Sequence, residues 1–228
     1  MTAHLEWGPT GAATLTAEVV VVVDVLSFTT TTTVAVERGM TVLPHRWKDE
    51  RAAAYAEQRD AVLAIGRFEA RDRPGLPSLS PAAMAVASAQ RVVLPSPNGS
   101  TICALLAERG ATVVAASLRN AGAVARWVGA RDVAVVASGE RWPDDTLRPA
   151  VEDLWGAGAV LRHLGGLSPE ARSAVAAYEA GVDLHGCASG RELVDAGFAE
   201  DVDVAAQVDV SEVVPVLVDG EFSHATTA

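Results

Sequence analysis

The stretch "VVVVVDVLSFTTTTT", Val19–Thr33, decides how the rest of the chain is read. Five consecutive valines show no apolar/polar alternation, so they read as a strand covered on both faces. A bare carboxylate follows at Asp24, where burying an unpaired charge is costly. The threonines Thr29–Thr33 then lead into a helix. A cap or an arginine partner would explain Asp24 alone. A metal ligand or catalytic carboxylate beside a phosphate pocket also explains the long buried approach to it. Ser27, Thr29 and Thr30 stand where hydroxyls and the N–H groups of a helix start can meet an anion.

The same layout recurs outward from this stretch. Short, nearly uniform apolar runs at Val19–Val25, Thr41–Pro44, Ala61–Ile65, Arg91–Pro95, Thr112–Ala116 and Val133–Ala137 predict strands. Helical spacing covers Thr30–Arg38, Asp49–Gln58, Ser100–Glu108, Asn120–Val128, Pro149–Leu164 and Pro169–Ala180, most of them ending at a glycine. Alternating strands and helices predict an α/β protein with a layered sheet. A weak echo of strand, polar loop and helix follows Asp24, Pro95, Ala116 and Ala137, the pattern an internal duplication leaves. No linker divides the chain, so residues 1–228 read as one domain, with roughly the first 15 and the last 8 residues peripheral. Gly66–Pro81 and Gly139–Pro149 are loop-rich stretches at strand ends, where such folds keep their sites.

Composition narrows the function. The net charge is −11, and Lys48 is the only lysine, so arginine carries nearly all the positive charge. That balance argues against nucleic-acid or anionic-membrane partners, which need clustered basic residues. It leaves room for a small anionic substrate in a locally basic pocket. Cys103 and Cys187 have no metal-site spacing and read as reduced thiols. With no signal-peptide pattern, the expected location is the cytoplasm. His4, His45, His163, His185 and His224 are scattered. The P-loop, zincin and esterase signatures are missing, and no GxGxxG follows a strand.

Several constellations can carry chemistry. "PSPNGST", Pro95–Thr101, follows a strand and opens a helix. There Asn98, Gly99, Ser100 and Thr101 offer a tight turn, backbone N–H groups and hydroxyls suited to a phosphate. In "SLRNA", Ser117–Ala121, Arg119 and Asn120 can reach an anionic ligand, although a solvated loop is the simpler account. In "ASGERW", Ala137–Trp142, and "VEDLWGAGAV", Val151–Val160, the residues Ser138, Gly139, Glu140, Arg141, Glu152 and Asp153 group acids and a guanidinium near a strand end. Glu152 and Asp153 are adjacent on a helix and so face different directions. "SGREL", Ser189–Leu193, looks like a helix start with its cap.

Taken in order, Asp24-Val25-Leu26 with its threonine run, Asn98-Gly99-Ser100, Asn120-Ala121, Ser138-Gly139-Glu140-Arg141, Glu152-Asp153-Leu154 and Ser189-Gly190-Arg191-Glu192-Leu193 resemble the 2-phosphosulfolactate phosphatase family from about Val19 to Val216. The resemblance implies a three-layer α/β/α fold with a mixed, mostly parallel sheet. It also implies a magnesium-dependent phosphatase that hydrolyses 2-phospho-3-sulfolactate to sulfolactate and phosphate. Members often have Arg where this chain has Ser27, and Cys-Ala-Gly where it has Ala137-Ser138-Gly139. Of their Gly-rich central loop only Ser80-Pro81 is clearly kept.

A phosphate monoester attacked by water needs a cation to offset developing charge. On this reading Asp24, with Glu152 or Asp153, holds Mg2+. Asp24, Glu140 and Asp153 are the catalytic candidates, and either Asp24 or a metal-bound water attacks phosphorus. Ser27, Thr29, Thr30, Asn98, Gly99, Ser100, Thr101, Asn120, Ser138 and Gly139 would line the substrate, with Arg119 or Arg141 neutralising it. The rival readings are a phosphatase for another small phosphorylated acid and a non-catalytic anion-binding module. A homodimer through Trp127, Trp142 or Trp155 is compatible with either.

Overall fold

The computed structural model describes residues 1–46 and 50–225. Its strands are β1 (Ala3–Trp7), β2 (Val19–Val23), β3 (Thr41–His45), β4 (Val62–Leu63), β5 (Arg91–Pro95), β6 (Thr112–Ala116), β7 (Val133–Ala137), β8 (Glu140–Arg141), β9 (Leu147–Arg148), β10 (Pro215–Val218) and β11 (Glu221–His224). Helices α1 (Gly8–Ala12), α2 (Phe28–Glu37), α3 (Glu50–Gln58), α4 (Arg67–Asp72), α5 (Pro81–Val86) and α6 (Gly99–Glu108) fall in the first half. They are followed by α7 (Ala121–Val128), α8 (Val151–Leu161), α9 (Pro169–Glu179), α10 (Ala188–Asp195) and α11 (Ala199–Ala205). The expected strand and helix cores are all present. The start of the second expected helix, Asp49, lies outside the described residues.

Among the described residues the main sheet has nine strands in the order β1-β7-β2-β6-β10-β11-β3-β5-β4. Two parallel blocks, β1-β7-β2-β6 and β3-β5-β4, run in opposite senses and are joined by the antiparallel hairpin β10–β11. The sheet is thus mixed and mostly parallel, with helices on both faces. The chain ends depart from the peripheral placement expected of them. Ala3–Trp7 form an edge strand on β7, and Glu221–His224 form an interior one at the seam between the blocks, where Phe222 is fully buried and pairs with Val42.

Both faces of β2 are covered, which is why five valines suit it. Val19, Val21 and Val23 enter a core shared with α7, α8 and α9. Val20 and Val22 enter a second core with α2, α5 and α6. That second core also takes Val42, Val92 and Leu94 from the other block, so the sheet must curl around it. In a flat sheet β2 and β5 would be five strand spacings apart, about 24 Å, with their C-terminal ends at opposite edges of the sheet. Instead the Gly99 N–H, just past β5, lies 2.9 Å from the Asp24 carboxylate, just past β2.

Helix α2 runs inside the curl and is buried from Phe28 to Val36. Its threonines therefore serve a buried helix. Thr29, Thr30 and Thr33 donate to the carbonyls of Asp24, Val25 and Thr29, and Thr31 donates to that of Leu79, at 2.7–2.8 Å. The run bonds backbone; no threonine hydroxyl among these four is left over for a ligand.

Candidate active site

Helix α8 brings two acids to the end of β2. Gly156 allows the approach: a Cβ there would sit 2.6 Å from Val23 Cγ1 and 2.7 Å from Val25 Cγ2. The first turn of α8 then holds Glu152 and Asp153, both buried, beside Asp24. The short hairpin β8–β9 adds Glu140. Four carboxylates from three parts of the sequence come together, Asp24, Glu152 and Asp153 buried and Glu140 half-buried.

Each is held differently. Asp24 accepts from the Phe28 N–H through Oδ1 at 3.0 Å and from the Gly99 N–H through Oδ2 at 2.9 Å. Burial pushes its pKa up to about 6; the two amides and Arg67 oppose that rise, and Glu152 adds to it. Glu140 accepts from Asn98 Nδ2 at 2.9 Å. Its pKa is pushed up to about 7, mainly by burial and then by the charges of Asp24 and Glu152. Asp153 uses both oxygens on backbone, accepting from Val25 N at 2.7 Å and Gly139 N at 2.8 Å. It clasps the loops after β2 and β7, and burial, with Asp24 and Glu152 nearby, holds its pKa well above the usual carboxylate range. Glu152 faces the Cys187 thiol, whose pKa burial and that carboxylate push up to about 11. Both cysteines are free and buried.

The expected phosphate turn at Asn98–Thr101 is at the site with a different task. Its Gly99 N–H is bonded to Asp24, and Ser100 Oγ donates to the His45 carbonyl at 2.6 Å. Asn98 bridges Glu140 and Arg141, accepting from Arg141 Nε at 3.2 Å. Thr101 is half-buried in the first turn of α6. Ser138 is buried, and its Oγ has no partner among the described residues. Gly139 takes φ +67°, which lets its N–H turn toward Asp153.

Two expected contacts are not made here. Arg119 bonds to Gln207 and pairs with Glu37 at 3.1 Å, at the opposite end of α2 from Asp24. Asn120 ties Ser117 N to the Val213 carbonyl and so anchors the C-terminal segment. The sequence placed the cap of α10 at Ser189, but Cys187 Sγ accepts from the Gly190 N–H at 3.3 Å instead. Trp127 and Trp155 pack on the core, while Trp142 is exposed.

Sequence reading missed Arg67 and Arg148. Arg67, at the start of α4, donates to Ser27 Oγ, the position where arginine had been expected. Arg148 pairs with both oxygens of Glu192 at 2.9 and 3.2 Å, and its Nε is buried without a partner among the described residues. The available signal was their place in the loop-rich stretches Gly66–Pro81 and Gly139–Pro149.

The donor set bears on a metal. Buried carboxylates that raise one another's pKa form a site that a cation relieves. Among the described residues no three His, Cys, Asp or Glu side chains converge as a preformed metal cage. Magnesium needs no such cage, since it is commonly held by one or two carboxylates together with water and phosphate oxygens. The all-oxygen set of Asp24 and Glu152 fits Mg2+, and the absence of imidazole or free thiolate ligands does not favour zinc.

Comparison with known proteins bears on the activity. The profile of the family described as 2-phosphosulpholactate phosphatase matches residues 9–220. A protein of Deinococcus radiodurans named "Probable 2-phosphosulfolactate phosphatase" is 31% identical over 219 residues, covering 90% of this chain and 89% of its own. One of Thermus thermophilus with the same name is 34% identical over 88% of each chain. Another, from Thermotoga petrophila, is 28% identical over 89% of this chain and 90% of its own.

Proposed function

This chain belongs to the 2-phosphosulpholactate phosphatase family, and from that membership we propose that it is a magnesium-dependent phosphatase hydrolysing 2-phospho-3-sulfolactate to 3-sulfolactate and phosphate. The observation that carries the reading is the proximity of Asp24 and Glu140, a buried and a half-buried carboxylate with pKa values raised to about 6 and 7 in one site. An acid tuned near neutrality is what leaving-group protonation requires.

In the mechanism, Glu140 stands protonated on Asn98 and gives its proton to the bridging oxygen as the phosphorus–oxygen bond breaks. A water molecule supplies the new oxygen on phosphorus, and its proton returns the acid to its starting state. Asp24 is fixed by two amides, so it meets the reacting group without reorganising. Asp24 and Glu152 would hold Mg2+, which supplies charge stabilisation for the phosphoryl oxygens. Asp153 positions the two loops through the Val25 and Gly139 N–H groups. The burial of Asp24, Glu152 and Asp153 keeps bulk water from them, and Glu140 stands half-buried beside them.

The test is phosphate release from 2-phospho-3-sulfolactate with magnesium and with chelator. Turnover that needs magnesium supports the reading. Turnover of other phosphorylated hydroxy acids but not of this one redirects the substrate, and no turnover of any phosphate ester overturns the reading.

A further inference from the structure

Three of the four acids are out of a ligand's reach as they stand: Asp24, Glu152 and Asp153 are 6%, 2% and 3% exposed. A phosphate ester can touch them only if some segment withdraws. The hairpin β8–β9 is the segment placed to do so. It leaves the end of β7 at Gly139 and reaches the loop after β5, where Glu140 and Arg141 both meet Asn98. Glu140 thereby stands near Asp24 and Glu152, whose charges act on it.

The attachments of this hairpin are of the kind that open. β8 and β9 pair with each other and stand apart from the nine-stranded sheet. Between Glu140 and Pro149, no backbone group bonds to the backbone of the body among the described residues. Side chains hold the hairpin instead. On one side Arg141 donates to Asn98 Oδ1 at 3.2 Å and to the Pro97 carbonyl at 3.3 Å. On the other, Arg148 pairs with both oxygens of Glu192 at 2.9 and 3.2 Å. Glu192 is 63% exposed, so solvent screens that pair and it acts as a latch, not a strut. Leu147 is the apolar anchor, seated against Gly8 and Gly139, where an added Cβ would come within 3.1 and 2.6 Å of it.

The two ends of the hairpin, by contrast, are fixed. The Ser138 N–H donates to the Val23 carbonyl at 2.8 Å, and the Gly139 N–H to Asp153 at 2.8 Å. Beyond Pro149, α8 begins at Val151. A segment pinned at both ends, with one apolar anchor and solvent-screened latches, belongs to the low-stability end of a structure. Its pivots are Gly139, at φ +67°, and Pro149.

We propose that β8–β9 is a lid over the carboxylate site, latched by Arg148 and Glu192, and that it carries the acid Glu140 into place on closing. Opened away from the loop after β5, it admits a phosphate ester and releases phosphate. Closed, it returns the Glu140 carboxyl to Asn98 and covers the buried acids. Because the acid rides on the lid, leaving-group protonation is confined to the closed state, when water is shut out. Arg148 and Glu192 are positioning residues that act on Glu140 through the latch. The proposal rests on the phosphatase reading for the use of Glu140, whereas the motion itself does not depend on it.

The experiment places spin labels at Pro143→Cys, on the exposed tip of the hairpin, and at Glu179→Cys, exposed on α9. The native cysteines are both buried, and protein without the added cysteines is the labelling control. Pulsed electron resonance then gives the distance distribution with Glu192 intact, in Glu192→Gln and in Leu147→Ala, each with and without inorganic phosphate plus magnesium. We expect a second, displaced population, at least threefold larger in either variant than with the latch intact, that phosphate with magnesium reduces. Without labels, Glu192→Gln should lower kcat/KM for 2-phospho-3-sulfolactate at least fivefold, and Glu192→Asp should recover most of the loss. A single distance population, unmoved by both variants and by phosphate, overturns the lid whatever the activity. So does a displaced population indifferent to phosphate and magnesium in a protein that turns over phosphate esters. If the variants enlarge the displaced population while no phosphate ester is turned over, the lid stands and the phosphatase reading falls.

Discussion

The Gly99 N–H donates to Asp24 Oδ2 at 2.9 Å across 75 residues of sequence, tying the end of one parallel block to the end of the other. The bond is possible because Gly99 has no side chain. A Cβ there would lie 2.5 Å from Phe28 Cδ1 and 2.7 Å from Asp24 Oδ2. Gly99→Ala should therefore displace the carboxylate, lowering kcat at least tenfold and stability by about 1–3 kcal/mol. Denaturant unfolding and steady-state kinetics measure the two effects; wild-type values for both would mean the contact is loose.

Asp24→Asn removes the charge while keeping the shape. The amide loses one of two backbone hydrogen bonds, a cost of about 1–3 kcal/mol. It also relieves a burial penalty that, for a pKa raised from 3.8 to about 6, is of the same order at neutral pH. We expect nearly unchanged stability at pH 7.5 and a fall in kcat of at least about a hundredfold, or roughly 2.7 kcal/mol. A variant with wild-type turnover would reduce Asp24 to a structural cap.

Glu140 sets a pH limit. Its proton is needed for the leaving group, so kcat should fall as pH rises through about 7, and Glu140→Gln should abolish that limb along with most of the rate. Stability moves the same way. The folded pKa lies above the ordinary value of 4.5, so the stabilising contribution is full below 4.5 and lost as pH rises through about 7. Thermal melts of metal-free protein from pH 5 to 8 should decline for this reason. A flat profile would contradict the raised pKa.

Magnesium should reverse that decline. At pH 8 the carboxylates are ionised and repel one another, so the melting temperature should rise on adding magnesium and fall on adding chelator. Asp24→Asn and Glu152→Gln should blunt the rise. A melting temperature indifferent to magnesium at every pH would rule out a carboxylate-held ion.

Thr32 tests the buried helix. Its hydroxyl is fully enclosed with no partner among the described residues, unlike those of its neighbours. Replacing it with valine keeps the branched shape and removes an unsatisfied group. Thr32→Val should stabilise the protein by about 1 kcal/mol, read from the denaturation midpoint. Destabilisation would indicate an enclosed water bound to the hydroxyl.

The parallel strands other than β1 were legible because uniform β-branched runs leave little alternative, and Asp24, Glu140 and Glu152 stood out as acids at the ends of apolar segments; β1, "AHLEW", is no such run. The closing hairpin was not, since "PVLV" and "EFSH" are short and partly polar, and their partners Val113, Val114 and Val42 lie far away in sequence. The threonines misled for a related reason: a hydroxyl before a helix signals an anion site or a cap equally well, and only the surrounding sheet shows that α2 is enclosed. Arg67 was hidden because local sequence does not tell which arginine of a loop is tethered inward. Asp153 and Asn120 were recognised as important groups, but their work on backbone could be seen only once the loops they join were in place.

The hairpin β10–β11 has a consequence for how the chain is made. The ribosome delivers it after every other strand, yet it alone joins the two blocks within the sheet. Until it arrives, β6 and β3 each present an unpaired edge, the kind of edge that recruits other chains. Asp24 and Gly99 can meet stably only once the sheet has closed, so competence for chemistry waits for the hairpin. A nascent chain lacking residues 215–224 is therefore expected to be both inactive and prone to associate, and those ten residues complete the enzyme much as a donated strand would.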